Sequence, residues 1–238
     1  MAHSVSDHAA RFSDGRRVRS RRCNDKMVLM RAPSLIDFCI DQADYWLRRL
    51  SGTETRRPRP DLHLDDDLSD DERRASGRVM RVNHSGEVAA QALYQGQSMT
   101  ARSGGLRVAL SQAAREEADH LAWTAGRLSD LDTHKSYLNP AWYLGALAIG
   151  AAAGVAGDDW SLGFIAETER QVVEHLSSEI AKLPARDEKS RAILAQMRTD
   201  EARHATTAME AGGRMLPLFV REGMRLAARV MVRTAYWI

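Results

Sequence analysis

Glu116-Glu117-Ala118-Asp119-His120 and Asp200-Glu201-Ala202-Arg203-His204 are the two stretches on which the reading of this chain turns. Each contains Glu-x-x-His, and each sits in sequence dominated by Ala, Leu, Glu, Arg and Gln, without sustained period-two alternation, as a helix requires. Residues three apart on a helix stand side by side on one face, so each motif offers a carboxylate and an imidazole to the same ion. A single copy is common on solvated helix faces. Two copies on separate helices form a constellation that chance supplies far less often.

The helices around these motifs have legible ends. Ser69 precedes Glu72 at capping-box spacing, with acids in the first turn, and starts a helix that runs to about Arg102 and stops at Gly104-Gly105. The first Glu-x-x-His lies in the next helix, about Leu106 to Leu131. Pro140 opens an apolar segment, Ala141 to Gly157, rich in Ala and Gly. A further helix is expected from about Ser161 to Lys182, ending before Pro184. The helix with the second motif spans about Arg186 to Ala211 and stops at Gly212-Gly213, and a last one runs from Pro217 to the C-terminus.

The other two long helices each place a glutamate at mid-length, Glu87 and Glu169. Glu167 and Glu174 compete with Glu169, but Ile165, Val172, Val173 and Leu176 lie on its side of the helix and favour an inward position for it. One Glu from each of two helices plus one Glu-x-x-His from each of the others is the ligand set of ferritin-like di-iron or di-manganese bundles. The expected fold is therefore all-α: a ferritin-like four-helix bundle with an extra apolar helix, an N-terminal helix (Ser34 to Leu50) and a C-terminal amphipathic helix. Carboxylates bridge paired metals and imidazole suits iron. Glu116 and Asp200 each precede a candidate ligand, where they can accept the free imidazole N–H of a ligand histidine and fix its tautomer.

Composition narrows the class. The chain has 238 residues, 44% hydrophobic and 28% charged, which suits one domain, and its net charge of +2 gives no broad basic field for nucleic acid. Cys23 and Cys39 form no disulfide framework or zinc spacing, which reads as a reducing compartment. Arg11, Arg16, Arg17, Arg19, Arg21 and Arg22 crowd a start with little apolar content; it reads as a disordered extension, or as sequence upstream of a start at Met27 or Met30. The expected organisation is an Arg-rich extension over 1–32 and one di-iron domain over 33–238, with a polar linker at Thr53 to Asp67.

The stretch Arg81-Val82-Asn83-His84-Ser85-Gly86-Glu87-Val88-Ala89-Ala90-Gln91-Ala92-Leu93-Tyr94-Gln95-Gly96-Gln97 closely resembles the first-helix signature of demethoxyubiquinol hydroxylases. The resemblance continues through Glu117, His120, Glu169, Glu201 and His204 at matching intervals, from about Leu35 to the C-terminus. It implies Glu87, Glu117, His120, Glu169, Glu201 and His204 as ligands of two iron ions, with Glu117 and Glu201 bridging. The implied reaction is hydroxylation of the ring of a polyprenyl-methyl-methoxy-benzoquinol in ubiquinone biosynthesis. Dioxygen is the oxygen source, and electrons come from NADH or from the quinol. No Gly-x-Gly-x-x-Gly follows a strand, so no Rossmann site is expected for NADH. Tyr94 and His84 lie near Glu87 on roughly its face and are candidates for proton or electron handling; a satisfied core tyrosine and a capped histidine are the plain alternatives.

A polyprenyl substrate resides in a bilayer. Ala141 to Gly157 is short for a membrane span, but Trp142, Tyr143 and Trp160 at its ends suit an interfacial helix, with a buried bundle helix as the alternative. In the last helix Arg221, Arg225, Arg229 and Arg233 form a basic stripe beside Leu226, Val230, Met231, Trp237 and Ile238, as on a membrane-surface helix. The resemblance implies a peripheral protein of the cytoplasmic face of a bacterial inner membrane, or else of the mitochondrial one, associating with itself or with other ubiquinone-biosynthesis proteins. A ferritin-like ferroxidase and a non-enzymatic membrane scaffold are the competing classes. The isolated apolar helix and the basic C-terminal stripe fit a soluble storage shell poorly, and a scaffold leaves the repeated Glu-x-x-His unexplained.

Overall fold

The computed structural model describes residues 57–64 and 67–238. The expected N-terminal helix and the Arg-rich extension lie outside the described residues, as do residues 53–56 and 65–66 of the linker. The described helices are α1 (Asp70–Thr100), α2 (Gly104–Asp130), α3 (Asn139–Ala156), α4 (Asp158–Lys182), α5 (Glu188–Glu210) and α6 (Leu218–Ala235), with no strand among the described residues.

Helix α1 begins where its sequence says it should. The Ser69 hydroxyl accepts from the Glu72 backbone N–H and the Glu72 carboxylate accepts from the Ser69 N–H, closing a capping box. The break after it differs from expectation. Gly104 and Gly105 do not end α1; they form the first turn of α2, capped by Ser103, whose hydroxyl accepts from Leu106 N–H. The turn itself, Ala101 to Ser103, is held from a distance: Asp158 accepts from the Arg102 and Ser103 backbone N–H groups at 2.9 and 2.8 Å. That carboxylate satisfies donors a local glycine turn would otherwise leave to water. Helix α4 starts earlier than expected, directly after Gly157, whose φ of 131° reverses the chain. Helix α5 starts later, because Asp187 is its cap and accepts from Ser190 N–H at 2.9 Å.

Helices α1, α2, α4 and α5 form the bundle, and α3 is its crossover. The chain goes up α1 and down α2. It then runs along α1 in α3, in the same direction, before descending in α4. The α1–α3 seam is built from small residues facing backbone. A Cβ on Gly96 would lie 2.2 Å from the Leu147 carbonyl oxygen, and one on Gly150 would lie 2.3 Å from that of Leu93. The small residues Ala146, Gly150, Ala153 and Gly154 face inward, while Leu144, Ile149 and Val155 are exposed. Helix α3 is thus buried on its small-residue side alone.

Two apolar layers enclose a polar one. The first comprises Val79, Met80, Trp123, Leu128, Leu176, Ile193, Leu194 and Met197; the second comprises Tyr94, Ala101, Leu110, Ile165, Ala166 and Ala208. Between them along the same four helices lie Glu87, Glu117, His120, Glu169 and Glu201, all buried. Beneath this layer Arg127 of α2 and Asp187 at the head of α5, both fully buried, pair at 2.8 Å, and Arg127 also donates to Ser190 Oγ at 2.9 Å.

Candidate metal centre

Helices α2 and α5 run antiparallel side by side, which brings the two Glu-x-x-His motifs together head to tail. His120 Nδ1 lies 2.9 Å from Glu201 Oε1, 3.3 Å from Glu117 Oε2 and 3.7 Å from Glu87 Oε2. His204 Nδ1 lies 3.0 Å from Glu201 Oε2 and 3.2 Å from Glu117 Oε1. Glu117 and Glu201 therefore each divide their two oxygens between the two histidines. Glu87 stands at the His120 end. Glu169 is buried at the other end, within the fields of Glu201, Glu117 and His204, and accepts a 2.7 Å hydrogen bond from the Tyr94 hydroxyl.

The carboxylates that compete with Glu169 point elsewhere. Glu167 pairs with Arg170 and Arg221, and Glu174 with Arg170 at the surface. His84 is buried against the Thr124 hydroxyl at 3.1 Å.

The outer nitrogens of the two imidazoles are also paired, and the pairing is crossed. His120 Nε2 meets Asp200 Oδ2 at 2.9 Å, and His204 Nε2 meets Glu116 Oε2 at 2.9 Å. Each motif thus supplies the carboxylate that faces the other motif's histidine. A proton on Nε2 leaves the Nδ1 lone pair facing inward.

Electrostatics describe a site that holds protons until a cation displaces them. Burial pushes the Glu87 carboxyl well above the usual range, and the charges of Glu117 and Glu201 add to the push against the opposing effect of His120. Burial does the same for Glu169, again with Glu201 and Glu117. Burial disfavours the charged imidazoles, yet Glu117 and Glu201 outweigh it and raise His204 to about 11; Asp200 and the inner carboxylates raise His120 likewise. Glu117, between two imidazoles, is lowered despite its burial.

Hydrogen bonding does not satisfy this cluster. Glu87 Oε2, both Glu117 oxygens, His120 Nδ1 and Glu201 Oε1 are buried with no hydrogen-bond partner among the described residues. The imidazoles stand at ion-pair distance from these oxygens without a well-aimed hydrogen bond, and four buried carboxylates against two imidazoles favour a bound cation. Glu87, Glu117, His120 and Glu201 can bring one ligand atom each to within 4.8 Å of one another. Mixed oxygen and imidazole donors fit divalent iron, and the donor set fits a metal pair.

The two ends of the cluster open differently. A cavity of about 310 Å³ between α2, α4 and α5 reaches His204, Glu116 and Tyr94 and is lined largely by apolar side chains, among them Leu106, Leu110, Ala113, Leu162 and Ile165. The His120 end is closed by Arg57, whose guanidinium lies 4.8 Å above the Trp123 ring and reaches Asp119 and Asp200. Arg57 falls in the polar linker of the sequence, and no pattern there marks Asp119 or Arg203 as partners. An arginine in a polar linker carries no periodicity signal, so only folding discloses its partners.

The family described as ubiquinone biosynthesis protein COQ7 matches residues 74–235. A protein of Nitrosospira multiformis named 3-demethoxyubiquinol 3-hydroxylase is 54% identical over 205 residues, covering 85% of this chain and 99% of that protein. One of the same name from Nitrosococcus oceani is 59% identical over 171 residues, covering 72% and 80%, and one from Burkholderia multivorans is 52% identical over 207 residues, covering 86% and 100%. The helical order, the repeated motif and these matches agree: the chain belongs to the COQ7 family of ubiquinone biosynthesis proteins.

Proposed function

We propose that this chain is a di-iron monooxygenase that hydroxylates the ring of a polyprenyl benzoquinol, the 3-demethoxyubiquinol of its relatives' name. The observation that carries this reading is the sharing of Glu117 and Glu201 between the two histidine Nδ1 atoms in a buried, unsatisfied cluster. His120 and Glu87 would hold one iron, His204 and Glu169 the other, and Glu117 and Glu201 both. Iron bound there supplies dioxygen activation. One oxygen atom enters the ring and the other leaves as water, with two electrons from NADH or from a quinol.

The protein's own part is positioning. Asp200 and Glu116 stand to accept from the outer imidazole N–H groups, which would leave both inner nitrogens to the metal once their protons are displaced. Tyr94 is buried beside Glu169; burial, reinforced by the neighbouring carboxylates, keeps its hydroxyl protonated and donating, which fixes the orientation of that carboxylate. The largely apolar cavity gives a flat ring a place at the His204 end.

Attachment to a membrane surface belongs to the same proposal. No helix among the described residues is long and apolar enough to cross a membrane. Helix α6 exposes Phe219, Leu226 and Val230, with Trp237 just beyond it, beside the exposed Arg229 and Arg233, and α3 exposes Leu144, Ile149 and Val155. A basic amphipathic surface of this kind suits an anionic bilayer such as the cytoplasmic face of a bacterial inner membrane. The same faces suit a second copy or another ubiquinone-biosynthesis protein.

Quinone profiling by mass spectrometry in cells lacking this gene tests the reading. The demethoxy intermediate is expected to accumulate and to be cleared by wild type but not by Glu201→Ala. Normal ubiquinone with disturbed iron handling would favour a ferroxidase instead.

A further inference from the structure

Residues 57–64 follow the outer side of α2, and Arg57 touches more of the centre's surroundings than any bundle arginine described above. Its Nε donates to Asp119 Oδ2 at 3.1 Å and its Nη1 to Asp200 Oδ2 at 2.8 Å. The Trp123 indole N–H donates to the Arg57 carbonyl at 3.3 Å, so ring and backbone hold the residue in place. Asp200 Oδ2 is also the oxygen that meets His120 Nε2. Nη2 of Arg57 also lies 3.3 Å from that nitrogen, so the guanidinium touches both the Asp200 carboxylate and the His120 ring.

We infer that Arg57 is a positioning residue for the His120 half of the metal centre, acting through Asp200; the inference rests on the metal-binding reading above. The division of labour at Asp200 supports it. Its Oδ1 is held by Gln196 at 3.2 Å and Arg203 at 3.3 Å, whereas Oδ2 depends on Arg57. A planar guanidinium forked across Asp119 and Asp200 sets the plane of the Asp200 carboxylate and thereby the ring of His120. The opposite end is held differently: Glu116, 30% exposed, is met at 3.0 Å by Arg203, itself 56% exposed, which also reaches Asp200 Oδ1 but not Oδ2. Loss of Arg57 therefore acts on one metal position and not on both.

The experiment titrates metal-free full-length protein with cobalt(II) under anaerobic conditions, reading stoichiometry and affinity by calorimetry and visible absorption. Thermal melting of the metal-free form is followed alongside. Wild type is expected to bind two ions. Arg57→Ala is expected to bind one with wild-type affinity and the other roughly 10- to 100-fold more weakly, the usual effect of losing an outer partner. Arg57→Lys keeps the charge but cannot fork, and is expected to weaken the same ion less. Two ions bound at wild-type affinity by Arg57→Ala would overturn the inference, even with a lower melting temperature. Equal weakening of both ions would overturn it as well. If Arg57→Ala does not fold, Arg57→Lys decides: weakening at one position supports the role, and two intact positions refute it. Failure of both variants to fold assigns Arg57 to folding alone and refutes it too. Wild type binding no cobalt would overturn the metal reading itself, a result distinct from all of these.

Discussion

Asp187→Ala should destabilise this protein more than any surface change, and the size of the effect follows from the geometry. Asp187 does two jobs at the head of α5. It caps the helix by accepting from Ser190 N–H, and it faces the guanidinium of Arg127 at 2.8 Å with both side chains fully buried. Breaking a buried ion pair costs about 3–5 kcal/mol, because the remaining charge stays in a medium that cannot solvate it. Loss of the cap adds about 1 kcal/mol. At about 2–4 °C per kcal/mol for a chain of this size, the melting temperature should fall by roughly 8–24 °C. Far-UV circular dichroism reads this directly in an all-helical protein. Asp187→Asn keeps a capping oxygen and removes the charge, so it isolates the ion-pair part and should fall short of the alanine variant by about 1 kcal/mol. Arg127→Met with Asp187→Asn should recover most of the loss, since no uncompensated charge remains. A drop below about 3 °C for Asp187→Ala would refute the argument, showing that the pair contributes no more than an exposed one.

Three further outcomes are expected. Gly150→Ala places a methyl against the Leu93 carbonyl, a backbone atom that cannot swing aside, and should cost about 1–3 kcal/mol; hydrogen exchange should quicken in α3 and remain slow in α5. Glu167 sits in a partly buried position that opposes its charge, yet Arg170, Gln171 and Arg221 outweigh that and lower it to about 2. Because its folded value lies below its unfolded one, its contribution is complete above about pH 4.5 and fades as pH falls toward 2. The stability gap between wild type and Glu167→Gln, measured by denaturant titration, should close across that window; a constant gap would contradict the assignment. Iron or cobalt uptake should release protons, since Glu87, Glu169, His120 and His204 all favour their protonated forms in the metal-free site. Apparent affinity should therefore rise between about pH 6 and 8, and a flat profile by competition with a chelator would count against it.

The two Glu-x-x-His patterns are the most legible part of the sequence. Glu-x-x-His is a local pattern, and a helix puts both groups on one face whatever surrounds it. The capping box at Ser69 is likewise local, and it set the start of α1 to the residue. What sequence could not disclose depends on contacts between distant segments. Gly104-Gly105 reads as a stop, yet Asp158, more than fifty residues on, holds the turn before it and lets α2 begin at the glycines. The path of α3 along α1 rests on backbone approach at Gly96 and Gly150, which no hydrophobic period encodes. Glu169 was favoured over its neighbours by the apolar residues on its face, and its bond to Tyr94 shows the inward position directly. Arg57 gave no signal, because its partners come from two helices.

The α1–α3 seam is a joint that does not rely on water to hold it shut. Most interfaces in a globular protein gain their strength by removing large apolar side chains from solvent, and such a gain vanishes where the surroundings are themselves oily. Here the buried side chains of α3 are Ala and Gly, which release little apolar surface, and the contact combines close backbone approach with hydrogen bonds such as that of Thr100 Oγ1 to the Ala151 carbonyl. Dispersion forces of that kind act as well among acyl chains as in solution, as in helix pairs joined by small residues within bilayers. The Leu144, Ile149 and Val155 side chains can meet either medium without disturbing the packing behind them.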